Sequence, residues 1–339
     1  MKQSRRESAL IKSIQSALTR DNHSKKTLLK KLLAFFSVRR IKLTRHEREL
    51  FEKLRGEVWK FDLNEYQASF HTRGQLPFKT VGDLGYSGST FLATVDTRLI
   101  VKSLPRHFEY SFFQEDLLLP YFEYMSQNPD SLLVWITDYL IAPYVTLGTL
   151  FGLTPAHHIV MENTMCGRDE DPAAEKWETY DLKPIDYFYP ERDIMPRTLV
   201  SDETLNKLAD RFDEKLYLSR SDYKCFWDMI QKDTAFLQDA NVVDYSLFLI
   251  RIPASSDLPV QGRRSPWRAG LPSADGQWKY RAVILDFFWA RHKLQPLALS
   301  GVVQTFNVVG RQGPMTITTT PSEYRDKFLT MVSEMIEEH

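Results

Sequence analysis

Cysteine is scarce in this chain: Cys166 and Cys225 are the two among 339 residues. Two thiols are too few for a disulfide framework, so a packed core must hold the fold and a reducing compartment is expected. No Cys/His group has the spacing of a zinc site. The opening residues, MKQSRRESALIKSIQSALTR, lack the apolar stretch of a secretory signal. Their basic, serine-containing, acid-poor composition is shared with mitochondrial transit peptides, which is the minor reading; a cytoplasmic protein, peripheral on membranes, is the main expectation. Long hydrophobic runs are scarce too. The strongest, residues 132–153, LLVWITDYLIAPYVTLGTLFGL, carries one charge, Asp138, and is just long enough to span a bilayer. Its Pro143, Gly148, threonines and β-branched clusters predict instead two buried strands with a turn near Ala142–Tyr144, and hence a soluble protein.

Net charge is also lacking, with 44 Lys and Arg against 44 Asp and Glu. That balance hides an asymmetry. Residues 1–45 hold thirteen Lys and Arg against Glu7 and Asp21, a charge of +11, so the remainder carries −11. Within this segment TLLKKLLAFFSVRRIKL spaces Leu29, Leu32, Leu33 and Phe36 as on one helical face, with basic residues between. Such a helix lies on an anionic membrane, or docks its apolar side on an acidic body; both readings stay open. No nucleic-acid partner is expected, and the oligomeric state is open.

With 43% hydrophobic residues the chain can bury a large core. Residues 47–69 and 106–127 have helical spacing, the second interrupted at Pro120; 221–240 and 321–339 read as amphipathic helices, and Ser201–Asp202 as a helix start. Short strands run from 82 to 104, with a turn at Asp96–Thr97, and at 157–163. VDYSLFLIRI and YRAVILDFFWA read as paired strands, and the Pro-, Ser-, Gly- and Arg-rich 253–279 between them as a mobile loop. Strands first and helices later argue for an α+β fold. The expected organisation is a basic segment 1–50, a lobe over 51–165 and a second lobe over 166–339.

The residues with chemical potential stand out against this background. In NVVDYSLFLI, residues 241–250, Asp244 is a lone carboxylate in an apolar run, costly unless a partner, a metal ion or a substrate proton compensates it. Asp286 in AVILDFF repeats the pattern, on a neighbouring strand if the hairpin forms. Each alone reads as an ordinary strand-end aspartate; together they can converge on Mg2+ and an attacking hydroxyl. GDLGYSGST supplies Gly82, Gly85 and Gly88 between strands, and Lys102 follows inside the apolar strand RLIVKSL. A Gly-rich hairpin is commonly just a turn, and a strand lysine commonly snorkels. In this order the two also make the device by which kinases cover and grip ATP phosphates. YDLKP adds Asp181 and Lys183 on one side of an extended segment.

Taken in series, these motifs resemble the phosphatidylinositol phosphate kinase family over roughly residues 75–335. SGSTFLATVDTRLIVK is similar to its glycine-rich loop and ATP-lysine strand, IVMEN to its adenine-pocket segment, DLK to the start of DLKGS, VDYSLF to MDYSLL, and ILD to IID. PSEYRDKFLTMV resembles its closing helix; HHIVMEN and ARHKLQPL point to the phosphatidylinositol 3-phosphate 5-kinase branch. The resemblance implies a two-lobed kinase-like fold with antiparallel sheets and flanking helices, ATP and Mg2+ as cofactors, and a phosphoinositide lipid as partner. It implies that Gly85, Ser87, Gly88, Ser89 and Lys102 hold the nucleotide phosphates. By the same carry-over Met161, Glu162 and Asn163 border the base, Asp286 binds Mg2+, and Asp244, Lys183 and Asp181 serve catalysis.

The departures from the family pattern matter as much. DLKGS continues here as DLKPI, so Pro184 removes an amide donor and restricts Lys183. The stretch LALSGVVQTFNVVGRQGPMTITTTP carries Arg311 and no lysine pair where the family's substrate-selecting loop tends to have one. The body of the chain is acidic, unlike a surface built for anionic lipid. Three functions therefore compete: a lipid kinase, a kinase-like scaffold of weak turnover, and a kinase for a soluble substrate.

Overall fold

The computed structural model describes residues 5–20, 35–37, 41–72, 74, 76–81, 89–184, 212–257, 262, 265–293 and 319–338. The chain divides into two compact units. The first comprises Met1–Tyr110, Trp135–Cys166 and Gln261–Arg263, and the second Ser111–Val134, Gly167–Val260 and Arg264–His339. The described residues of 1–50 fall within the first unit, and residues 111–134 within the second.

In the first unit the strands are β1 (Thr44–His46), β2 (Phe78–Val81), β3 (Phe91–Thr94), β4 (Leu99–Ser103), β5 (Ile136–Ile141) and β6 (His157–Glu162). They form one antiparallel sheet in the order β1-β5-β6-β4-β3-β2. The β3–β4 turn falls at Asp96–Thr97 as the alternation predicts; Asp96 accepts from the Thr94 hydroxyl at 2.5 Å and Thr97 sits at φ 58°. Helix Arg5–Thr19 packs into this unit, burying Leu10, Ile11, Ile14 and Leu18. Gln15 Nε2 donates to the Phe70 carbonyl at 3.0 Å, and Arg45 donates to that of Leu18. Buried Ile41 and Leu43 lead into β1. The 5–19 helix is therefore structural, while the apolar-basic stretch 27–34 lies outside the described residues. The Trp59 and Trp135 rings stack at 5.1 Å, and buried Asp138 takes Arg55 Nη1 at 3.1 Å and the Tyr66 hydroxyl at 2.6 Å.

Helices Arg48–Lys53, Leu54–Val58 (π) and Leu63–Ala68 fill 47–69. Residues 107–127 are helical, and the irregularity expected at Pro120 falls earlier, in the π turn Phe112–Leu117. Pro120 sits in the first turn of Leu118–Gln127, where its missing N–H is tolerated. After β5 the chain forms a four-residue helix, Leu147–Leu150, where a second strand was expected: Thr146 and Thr149 cap it reciprocally and favour the turn. Among the described residues no helix is long and apolar enough to cross a membrane.

The second unit holds β7 (Glu178–Leu182), β8 (Leu216–Leu218), β9 (Val242–Val243), β10 (Ser246–Pro253), β11 (Leu271–Pro272), β12 (Trp278–Leu285), β13 (Trp289–Ala290) and β14 (Ile336–Glu338). Its main sheet is antiparallel in the order β11-β12-β10-β7, and β9 pairs with β13. The expected pairing of β10 with β12 is present, Leu247 opposite Ile284 and Leu249 opposite Ala282. The long helix Arg220–Asp239 is capped by Ser219, whose hydroxyl accepts from the Asp222 amide at 3.2 Å. Helix Pro321–Glu334 opens with a Thr320–Glu323 capping box and gives way to β14, so it stops short of residue 339.

Within 253–279 the described residues are packed more closely than the composition suggests. Trp267 packs on Phe226 at 4.2 Å, and Arg268 donates to the Ser131 and Leu133 carbonyls at 2.7 and 2.8 Å. Gly262, at φ +60°, lies so close to the Trp59 carbonyl that a Cβ would meet it at 2.5 Å. The helix expected at 201–212 lies almost wholly outside the described residues. Helices segregated from antiparallel sheets make the fold α+β.

Candidate active site

The second unit gathers four of the predicted residues. β10 and β12 are interrupted opposite one another: Val243 pairs with Trp289 and Ser246 with Leu285, which leaves Asp244 and Asp286 in the gap. Both adopt left-handed backbone, at φ 65° and 62°. Aspartate tolerates that region better than most side chains, and local strain of this kind concentrates at functional sites. The apolar neighbours explain why the break is held: Tyr245 and Phe287 are fully buried on either side and fix the chain while the carboxylates leave the ladder.

β7 brings in the remaining pair. Leu182 is opposite Leu247 and Asp181 opposite Phe248, so Lys183 emerges at the strand end beside the gap. Lys183 Nζ lies 3.0 Å from Asp244 Oδ1, and the two side chains keep 12% and 19% of their exposure, open enough for a substrate to reach. Burial pulls the Lys183 amine down, but Asp244, Asp181 and Asp286 outweigh it and hold the amine above its ordinary value. One permanent cation among three carboxylates is the electrostatic centre of this unit. Among the described residues no three acidic, His or Cys side chains form a cage for a metal. Magnesium does not require one, because one or two carboxylates together with substrate phosphates suffice to hold it.

One contributor was missed by sequence reasoning. The Tyr324 hydroxyl, on helix Pro321–Glu334, donates to the main-chain carbonyl of Tyr245, next to Asp244. Its ring meets that of Tyr245 edge-on at 4.7 Å. The Tyr in PSEYRDKF signalled an amphipathic helix, and nothing local marks its partner 79 residues away. Nearby, Lys293 of ARHKLQPL is held by Glu115 at 2.9 Å and Asp116 at 3.2 Å, at the entrance to residues 294–318, which are outside the described set together with Arg311. Pro184 is buried directly after Lys183.

The first unit holds the other predicted residues. Gly85, Ser87 and Gly88 lie outside the described residues, as does Gly82. Ser89 is buried, and the Thr90 amide donates to the Ser103 hydroxyl at 2.8 Å, which fastens the start of β3 beside the lysine strand. Lys102 is buried at 4% exposure on β4, between Phe91 of β3 and Ile159 of β6, its amine 5.5 Å from the Phe91 ring centre. Met161 is buried in β6; Glu162 accepts from the Trp135 amide at 2.9 Å; Asn163 donates to the Thr97 carbonyl at 2.6 Å, tying β6 to the β3–β4 turn.

Residues 73–270 match the family model described as Phosphatidylinositol-4-phosphate 5-Kinase. The chain belongs to the phosphatidylinositol phosphate kinase family, a class of phosphotransferases. Similar proteins include a probable phosphatidylinositol phosphate kinase of Dictyostelium discoideum, 25% identical over 175 residues, covering 49% of this chain and 21% of that protein. The human 1-phosphatidylinositol 3-phosphate 5-kinase is 27% identical over 256 residues, 72% of this chain and 10% of that one. The mouse phosphatidylinositol 4-phosphate 5-kinase type-1 beta is 30% identical over 178 residues, 51% of this chain and 30% of that one. The chain thus spans less than a third of the length of each of these relatives.

Proposed function

We propose that this protein is an ATP-dependent lipid kinase that phosphorylates the inositol headgroup of a phosphatidylinositol phosphate. The observation that carries the reading is the Lys183–Asp244 pair, set between two opposed strand breaks with Asp181 and Asp286. Asp244 orients the inositol hydroxyl and accepts its proton as the oxygen attacks phosphorus. Lys183 offsets negative charge gathering on the transferred group. Lys102 neutralises nucleotide phosphates, with the 161–163 stretch beside the base. Asp286 would hold Mg2+, which when bound would offset charge on the ATP phosphates; one or two carboxylates together with those phosphates suffice for this hard cation. The charge of residues 1–45 suits the acidic face of a membrane, where the lipid resides.

A kinase-like scaffold is the second reading, favoured by Pro184, which deprives the chain of an amide directly after Lys183. Phosphate transfer from labelled ATP to a panel of phosphoinositides and soluble inositol phosphates decides among the readings. Transfer to lipid supports the first, transfer to soluble inositol phosphates alone replaces the substrate, and binding without transfer favours the scaffold.

A further inference from the structure

Seven large apolar side chains are exposed among the described residues, and four of them, Val145, Leu150, Phe151 and Leu153, fall within nine residues of the β5–β6 connection. Phe151 and Leu150 keep 67% and 61% of their surface in water. A fifth, Phe36, is drawn to the same place, because the Gly148 amide donates to the Ser37 carbonyl at 3.1 Å. Scattered exposed apolar residues are ordinary; four on one connection, with Phe36 drawn to it, mark a surface that contacts something.

Three features say what that something is. First, the connection is uncharged: no Asp, Glu, Lys or Arg occurs between Asp138 and Glu162. Second, its amides are satisfied from within the unit. The amides of residues 148 to 154 all donate: Gly148 to Ser37, Thr149 to the Thr146 hydroxyl, and the next five to carbonyls of Thr146, Leu147, Thr149 and Gly148. Gly152, at φ +63°, closes the turn. A segment that leaves water for the membrane interface gains by bringing partners for its own N–H donors, and this one does. Third, Phe36 sits within the basic part of the chain, with Lys30 and Lys31 before it and Arg39, Arg40 and Lys42 after it. Exposed apolar residues joined to a stretch of sequence rich in cations complement an anionic lipid bilayer.

We propose that the 145–153 turn is a membrane wedge, inserting Leu150 and Phe151 into the interface of an anionic bilayer. The inference rests on the membrane partner of the kinase reading and adds the surface that reaches it. Its test uses no ATP, so its failure is distinct from a failure of phosphoryl transfer.

The experiment is sedimentation of the full chain with vesicles of phosphatidylcholine containing phosphatidylserine. Leu150→Asp/Phe151→Asp should partition at least about tenfold more weakly than the parent, since each side chain loses the transfer of a large apolar group. Its melting temperature should match that of the parent, because neither residue is in the core. A Phe151→Trp variant should bind normally and show tryptophan quenching by brominated acyl chains beyond that of the parent. Unchanged partitioning of the double variant, or no extra quenching, overturns the proposal. So does a parent that self-associates in sedimentation equilibrium through these residues while vesicle binding ignores them, which would make the face a contact with a second copy.

Discussion

Tyr324 holds the main-chain carbonyl of Tyr245 from a helix 79 residues away in sequence, and so braces the left-handed turn at Asp244. Tyr324→Phe keeps the aromatic packing and deletes the donor. A buried carbonyl left unsatisfied costs on the order of 1–3 kcal/mol. The variant should therefore melt several degrees lower and lose kcat with little change in the KM for ATP, because Asp244 is misplaced while nucleotide contacts are retained. A loss confined to stability, with unchanged kcat in the folded fraction, would make Tyr324 merely structural.

Lys183 feels the charges of Asp244, Asp181 and Asp286 together. Lys183→Met preserves length and removes the cation, leaving clustered carboxylates at a cost on the order of 3 kcal/mol. Thermal melts should show that loss, and transfer should fall by more than tenfold. Asp286→Asn differs in kind. It should raise the Mg2+ concentration needed for half-maximal transfer, because the cation loses a charged ligand.

Lys102→Met tests the first unit. The methionine fits the strand, so melting should change little, while Mg·ATP binding by calorimetry weakens at least about tenfold, or 1.4 kcal/mol. Equal affinity in the two proteins would make Lys102 an ordinary buried strand residue.

Two adjacent histidines set an acid limit on stability. Burial, aided by the charges of His46 and His107, pushes His157 down to about 4, and burial with His157 pushes His158 down to about 3. Both sit below the ordinary histidine value of 6.5, so between that value and the depressed ones the unfolded chain binds more protons. Stability is then fully present above pH 6.5 and falls as pH drops towards 4. The melting temperature should decrease on the order of 5 °C between pH 7 and pH 5. His158→Phe, at a ring whose nitrogens find no hydrogen-bond partner among the described residues, should flatten that decline.

Much of the site was legible because its residues break local patterns. Asp244 and Asp286 stand out as carboxylates in apolar strands, and the alternation of VDYSLFLIRI and YRAVILDFFWA foretold their pairing. Contacts distant in sequence left no such trace. The polar composition of 253–279 hid Trp267 and Arg268, whose partners Phe226 and Ser131 lie elsewhere in the chain. The charge of the first 45 residues drew attention from Ile11, Ile14 and Leu18, which are core. A deletion of residues 1–45 would accordingly damage the first unit, and neutralising Lys30, Lys31, Arg39 and Arg40 is the cleaner probe of their charge. The wedge residues were first read as strand, because apolar β-branched runs look alike whether buried or presented to a surface.

The central claim is that Asp244 activates an inositol hydroxyl of a membrane lipid. It is tested most directly by transfer of labelled phosphate from ATP to phosphatidylinositol phosphate in vesicles, comparing the parent with Asp244→Asn. Asparagine tolerates the left-handed backbone at this position, so the variant should fold and bind ATP as the parent does. The account predicts labelled lipid from the parent and a loss of 100-fold or more in the variant, on the order expected for removal of a general base. Equal transfer by the two proteins, or none by a parent that binds ATP and lipid, would contradict it.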